Sequence, residues 1–546
     1  MVKKMLLEKG KKVSDLLPNE EKENYICAKI NGKIWELSNV FEKTSEEEVE
    51  FLGLDNSDAT GIYVASLRYL IGLAIKSINP KLDVRFFNNI SRAFFVRVIN
   101  GKKTQLINQD FVNKLEEEMK KIIAKDIPFN KVKVSKDEAI DSYHKLGFSD
   151  KVQVLKYRTE DKVHLYQCSY NGKDYFDYPY ERMVPSSRYL KHFKICYYAP
   201  GFILQVPRSE FGGAIPEFKD EVKFANALST SSKWAEENHL DTASGINTFI
   251  KNYGAMSLIN VCETRFNNML CELGEHIVRN PEPIRCICVA GPSSSGKTSF
   301  SNRLMFQLMS RGLRPIRISM DDFYYTKDEG KEDMDIESVE AINVPLFNDS
   351  INKLVQGEYV ALPTFDFKTS TRSFKKPISI SENEPLIIEG IHALNPTLIT
   401  QIPYSQKFRI YISPQPQVNL DNHTPLSMTH MRLLRRIARD AKTRDSDAKD
   451  TIEMWANVRK GEFKYIYPNQ ENADYVFDSF MHYELCALRN TVLPLLDKIK
   501  VDDKNYLTVL RLKQMVKYFV PISISDIPCN SLIREFVGGS SFKDAR

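Results

Sequence analysis

The stretch CICVAGPSSSGKTSFSNRLMFQLMSRG, beginning at Cys286, constrains this chain more than any other. Residues 284–290 carry the small and branched apolar side chains of a buried strand. After Lys297, Phe300, Leu304, Leu308 and Met309 recur at helical spacing, and Gly312 stands where that helix should be capped. Between strand and helix, Gly291, Pro292, Ser293, Ser294, Ser295, Gly296, Lys297 and Thr298 fit the pattern G-x-x-x-x-G-K-[ST]. A plain strand–turn–helix needs no such residues. Glycines let backbone N–H groups turn inward and approach phosphate oxygens, and the helix N-terminus adds positive potential. The loop, through Ser299, is therefore expected to hold a nucleoside triphosphate. Lys297 would reach the β- and γ-phosphates, and Thr298 Oγ would ligate Mg²⁺.

At 546 residues the chain is too long for one hydrophobic core, so several domains are expected. A formal charge of +5 over that length is a weak signal for nucleic acid, and DNA is not expected as a partner. No apolar run approaches the roughly 18 residues of a bilayer span, so no membrane partner is expected either. The start, MVKKMLLEKGKKVSD, is too interrupted by charge for a secretory segment. Nine cysteines are scattered without a CxxC pair, which argues against a zinc ribbon and for reduced thiols in a cytoplasmic protein.

The class of nucleotide site is read from what accompanies the loop. Asn113-Lys114, Asn130-Lys131 and Asn352-Lys353 are not followed by Asp two places on, so no guanine-reading pattern is present, and no LSGGQ-like stretch occurs. A kinase needs an acceptor-side carboxylate, a metal-side carboxylate and mobile cations. All three follow in order. PIRISMDDFYY (315–325) reads as a strand ending in Asp321 and Asp322, where a carboxylate can take the proton of an incoming hydroxyl. PLIIEGIHALN (385–395) reads as a strand closing on Glu389, placed to hold Mg²⁺. MRLLRRIARDAKTRDSD supplies Arg435, Arg439 and Arg444, expected to close as a lid over the phosphates.

GPSSSGKTSF, SMDDFYY, LPTFDFKTSTR, IIEGIHALN and the RRIARD…R segment resemble, in order and spacing, the motifs of uridine kinases and the related phosphoribulokinases. The resemblance implies an ATP- and Mg²⁺-dependent kinase that phosphorylates a nucleoside-like, sugar-containing acceptor. It implies Asp321 as catalytic base, Tyr324 as the motif's tyrosine, Glu389 as the acid of the EG strand, and Arg372 as the close of the DF…R motif. The family's ribose-holding acidic segment is written here MDIESVEAIN, leaving Asp335 and Glu337 as alternatives. Where uridine kinases carry a tyrosine and a histidine, this chain has Phe365 and Ser370, so the base-reading pocket is altered.

The first 220 or so residues resemble the N-terminal part of threonyl-tRNA synthetases, a TGS domain followed by the editing domain. The matching stretches are YICAKINGKIWELS, ASLRYLIGLAIK, LEEEMKKIIAKDIPF, KDEAIDSYHKLG and MVPSSRYLKHFKI. The synthetase editing site uses an HxxxH and a CxxxH pair; here those positions are Ala65 and Tyr69, then Pro179 and Met183. No ester hydrolysis and no zinc are expected from this half. The expected order is a β-grasp TGS-like domain (1–57), an α+β editing-like domain (58–240), a linker helix region (241–280), an α/β P-loop kinase domain with a parallel sheet flanked by helices (281–521), and an irregular tail (522–546). RNA contact through the N-terminal half and self-association remain open. The competing expectation is an RNA-associated regulatory protein that binds ATP as a signal, without an acceptor.

Overall fold

The computed structural model describes residues 3–158, 160–329, 335, 337–366, 369–444 and 446–543. Met1, Val2, Met334, Ile336, Phe367, Lys368 and Asp445 of the quoted stretches, and residues 544–546 of the tail, lie outside the described residues. The chain opens with a four-stranded sheet in the order Lys3–Leu7, Ser45–Leu52, Cys27–Ile30, Lys33–Glu36. Its edge hairpin, Cys27–Ile30 with Lys33–Glu36, turns on Asn31 (φ 46°) and Gly32 (φ 78°), the left-handed pair that a two-residue turn between twisted strands requires.

Asn56 then caps the helix Ser57–Ile78, its side chain accepting from the backbone N–H of Asp58 and Ala59. By length and composition this helix could cross a membrane, which amends the expectation that no apolar run comes near that length. Its apolar residues are instead buried in the core of the N-terminal half. A five-stranded and a three-stranded sheet complete that half. Lys151 lies in the helix Ser149–Leu155, and strands resume at Lys162–Tyr170.

The second half is built on a five-stranded parallel sheet ordered Ile316–Ser319, Leu386–Glu389, Cys286–Ala290, Lys407–Ser413, Tyr475–Asp478. Near-continuous apolar strands such as CICVA are what a sheet covered on both faces needs. The helix Ala255–Val278, expected as a linker, is a wall of this domain. Its Phe266, Leu270 and Ile277 share one core with Ile287, Val289 and Phe300. The tail is also less irregular than expected: a short helix, Arg534–Val537, sets Phe536 and Val537 into the same core.

The two halves are joined by buried charge. A small hairpin, Asn419–Asp421 with Thr424–Pro425, reaches from the second half into the first. There Lys151 Nζ lies 2.7 Å from Asp177 and 3.1 Å from Asp421. His423 bridges Asp177 through Nδ1 (2.7 Å) and Asp83 through Nε2 (2.8 Å).

Candidate active site

The central strand Cys286–Ala290 delivers the glycine loop, and the helix Lys297–Met309 leaves it. Ser294 (φ 61°) and Gly296 (φ 89°) turn the backbone through the left-handed region, the second at no steric cost. Gly291 is needed for room: a Cβ there would stand 2.0 Å from the Ile412 carbonyl oxygen. The helix ends as expected, with Gly312 at φ 89° and the Leu313 N–H returning to the Leu308 carbonyl at 3.2 Å. Lys297 is the first residue of the helix and half-buried. Its Nζ donates to the carbonyls of Gly291 (3.0 Å) and Pro292 (3.3 Å) and so spans the loop mouth. Burial pushes its pKa down, against the pull of Asp321, Glu389, Glu535 and Glu337.

The two strands on one side, Leu386–Glu389 and the edge strand Ile316–Ser319, bring two carboxylates to the same end of the sheet. Glu389 closes Leu386–Glu389 and is buried, with Thr298 Oγ1 donating to its Oε1 at 3.4 Å and Arg317 Nη1 doing so at 2.7 Å. Burial drives its pKa up to about 7, with Arg317 and Lys297 pulling the other way. Its second oxygen, Oε2, is buried without a hydrogen-bond partner among the described residues. A buried carboxylate oxygen left unmatched beside a threonine hydroxyl fits a hard, oxygen-seeking cation such as Mg²⁺. Asp321 follows Ile316–Ser319 in a 3₁₀ turn capped by Ser319 and is exposed. Desolvation raises its pKa, while Lys297, Arg444 and Arg439 lower it. Asp322 faces elsewhere: it accepts from the Phe365 N–H at 3.3 Å and pairs with Lys375 at 3.6 Å.

Among the expected lid arginines the structure separates Arg435 from the rest. It is wholly buried, pairs with Glu484 at 2.6 Å and donates to the carbonyls of Ser294 (3.4 Å), Ser295 (3.3 Å) and Ser479 (2.9 Å). It braces the back of the glycine loop and does not close over it. Arg435, expected in the lid, is instead a buried brace because its charge is matched by Glu484 in the core. Arg439 and Arg444 stay with the cleft, both gathered by the buried Asp440 at 2.7 Å and 3.7 Å. Arg436 joins them, bonding Asp440 (3.2 Å) and Ser293 Oγ (3.1 Å). Asp440 is the aspartate of the RRIARD segment, where only the arginines were assigned roles; its four-residue spacing from Arg436 and Arg444 was the available signal.

On the acceptor side, Tyr324 is buried with its ring 5.9 Å from that of Phe365. Arg372 spends its guanidinium on Glu329 (3.0 Å) and the Tyr324 carbonyl (2.6 Å), so it holds Tyr324 in place. Ser370 (φ 53°) sits at the tip of the hairpin Pro363–Asp366 with Thr371–Phe374. Asp335 is exposed and caps its own turn, accepting from the Glu337 N–H at 3.0 Å. Glu337 is half-buried, in the electrostatic reach of Arg436, Lys297 and Asp321, and burial raises its pKa. Gly461 lies so close that a Cβ there would be 2.3 Å from Glu337 Cβ. That glycine precedes a π-helical turn, Glu462–Ile466, whose Tyr465 sets its ring edge-on to the buried His392 at 5.8 Å. His392 lies within the IIEGIHALN motif but is given no role there, and the turn lies outside the motifs.

The positions answering to the editing site hold no reactive group. Ala65, Pro179 and Met183 are buried, and the Tyr69 hydroxyl donates to the carbonyls of Tyr166 (3.1 Å) and Tyr175 (3.2 Å). Among the described residues no cluster of three or more His, Cys, Asp or Glu could hold a metal ion.

A glycine loop between a central parallel strand and a helix, with carboxylates at the ends of the two strands on one side of it and arginines in electrostatic reach, defines a P-loop α/β phosphotransferase domain. Residues 286–485 form a domain of the phosphoribulokinase / uridine kinase family. The chain is 26% identical over 204 residues to uridine kinase-like protein 5 of Arabidopsis thaliana, covering 36% of this chain and 40% of that protein. It is 26% identical over 196 residues to the uridine kinase of Staphylococcus epidermidis RP62A, 35% of this chain and 85% of that enzyme. The N-terminal half matches threonine–tRNA ligase of Carboxydothermus hydrogenoformans, 28% identical over 190 residues, 35% of this chain and 28% of the ligase. A solved structure, of a possible uridine kinase from Bacillus stearothermophilus, covers 39% of this chain and 100% of its own at 18% identity and TM-score 0.28.

Proposed function

We propose that this protein transfers the γ-phosphoryl group of ATP to a hydroxyl of a nucleoside or a related sugar-containing acceptor. The observation that carries the reading is Asp321, just past a strand end on the glycine-loop side of the sheet and in the electrostatic field of Lys297, Arg439 and Arg444. A nucleotide sensor needs no such base. In the proposed step the acceptor hydroxyl gives its proton to the Asp321 carboxylate, its oxygen forms the new bond to the γ-phosphorus, and the bond to the β–γ bridging oxygen breaks, releasing ADP. Lys297, Arg439 and Arg444 stabilise the charge on the transferred group. Thr298 and Glu389 would hold Mg²⁺, which supplies charge neutralisation across the phosphates.

Glu337, half-buried and facing the cleft cations, is the better of the two acidic candidates for gripping sugar hydroxyls; Asp335 is committed to its turn. Tyr324 and Phe365 would line the acceptor pocket, with Ser370 at its hairpin rim. The N-terminal half, with Ala65, Tyr69, Pro179 and Met183 at the editing positions, is proposed as a non-hydrolytic module, with RNA contact as one role to test. The experiment is transfer of labelled γ-phosphate to nucleosides and free sugars, with the product identified by mass. A labelled phosphorylated nucleoside or sugar supports the reading; label released only as inorganic phosphate opposes it.

A further inference from the structure

The C-terminal segment enters the nucleotide site. The backbone N–H of Ser299, in the first turn of the glycine-loop helix, donates to Glu535 Oε2 at 3.1 Å. Gly296 supplies no side-chain cap to that helix. Glu535 also lies in the electrostatic field of Lys297 and Glu389, opposing the fall in the lysine's pKa and adding to the rise of the glutamate's. The segment is held firmly around it. Leu532 covers Gly296, where a Cβ would meet its side chain at 2.8 Å. Phe536 lies under the Arg435 guanidinium at 4.9 Å, Ser531 shares a 2.8 Å hydrogen bond with the Tyr483 hydroxyl, and Lys442 donates to the Val537 carbonyl.

The first N–H groups of a helix that leaves a glycine loop are the donors that take phosphate oxygens. Here one of them already holds a carboxylate, the chain's own anion. A phosphate oxygen and a carboxylate oxygen cannot both sit on one N–H, and two anions at that separation repel. We propose that Glu535 is an intramolecular competitor for nucleotide phosphate: it occupies the Ser299 N–H in the resting chain and must give it up for ATP to seat fully. Leu532 and Phe536 are wholly buried, so the segment stays docked and the exchange is a movement of the Glu535 side chain. The C-terminal segment thus sets the affinity of the nucleotide site. This inference rests on the reading of the glycine loop as an ATP site.

The test is equilibrium binding of ATP and of adenosine to the full-length protein, comparing wild type, Glu535→Gln and Lys297→Ala. Glu535→Gln keeps the shape and removes the charge, and charge-assisted hydrogen bonds are about twice as strong as neutral ones. ATP should bind Glu535→Gln roughly ten-fold more tightly than wild type, with adenosine unchanged because it brings no phosphate. If wild type binds ATP and Glu535→Gln binds it equally or more weakly, the carboxylate is a brace and the competition is refuted, with the kinase reading intact. If ATP binds neither wild type nor Glu535→Gln, the nucleotide reading falls and the competition with it. Should Glu535→Gln fail to fold, Glu535→Ala with a melting curve alongside gives the same comparison.

Discussion

Arg317 Nη1 lies 2.7 Å from Glu389 Oε1, so the carboxylate at the metal side of the cleft has a cation on one oxygen and, among the described residues, no hydrogen-bond partner on the other. Burial nonetheless wins, and the Glu389 pKa stands at about 7, above the ordinary 4.5. A carboxyl raised in the folded state favours the fold while protonated, so its contribution to stability is complete below pH 4.5 and is lost as pH rises through about 7. Mg²⁺ competes with that proton.

The first prediction follows from that competition. Mg²⁺-dependent turnover should rise through a midpoint near pH 7 at limiting Mg²⁺, and the midpoint should move down as Mg²⁺ is raised. Glu389→Gln should remove the dependence and lower turnover by roughly 10²-fold or more. A pH profile at two Mg²⁺ concentrations reads both; a midpoint indifferent to Mg²⁺ would exclude Glu389 from the metal side.

The two adjacent aspartates should behave differently. Asp321→Asn removes the proton acceptor and should slow phosphoryl transfer by roughly 10²–10⁴-fold with ATP affinity little changed. Asp322→Asn loosens the Lys375 pair and the hairpin behind it, and should cost far less. Single-turnover rates and ATP binding on both variants decide. The reverse ranking would mean that the base has been misassigned.

How much of this was legible in the sequence is clearest from the arginines. Spacing put Arg435, Arg439 and Arg444 near one another, and the helix Met428–Thr443 does carry the first two. Spacing alone did not tell which face of that helix meets solvent, because that depends on Glu484, some fifty positions on. Gly291–Thr298, Asp321 and Glu389 were readable because each sits where a strand ends, a position that local pattern defines. Glu535 was not, since nothing local marks a residue that docks more than two hundred positions away. Likewise His423 reads as an ordinary loop histidine until the fold encloses it between two aspartates.

Arg435 and Arg439 therefore offer a contrast of stability against activity. Arg435→Met strands Glu484 in the core and should lower stability by about 3–5 kcal/mol, the cost of breaking a buried ion pair. Arg439→Ala should leave the melting temperature within a few degrees of wild type and slow transfer. Thermal melts with parallel rates separate the two roles. Equal stabilities would restore Arg435 to the lid.

The junction between the halves should be sensitive to pH. Burial and Lys151 push the His423 pKa down, but Asp83 and Asp177 outweigh them and hold it at about 9. A raised imidazolium contributes stability that is present in full below pH 6.5 and is lost as pH rises through about 9. His423→Gln should lower the melting temperature most in the acidic range, and the gap to wild type should close above pH 9. A gap that does not change with pH would mean the histidine is neutral in the fold.

The central claim, that the cleft moves a phosphoryl group to an acceptor, is tested most directly by ADP formation from Mg²⁺·ATP with and without a panel of nucleosides and free sugars. The full-length wild type and Lys297→Ala should be run side by side. At least one nucleoside or sugar should raise wild-type ADP formation well above the acceptor-free rate and appear as its phosphorylated product, and Lys297→Ala should abolish both. ATP that binds tightly but turns over at one low rate whatever acceptor is added, or a Lys297→Ala variant as active as wild type, would contradict the account.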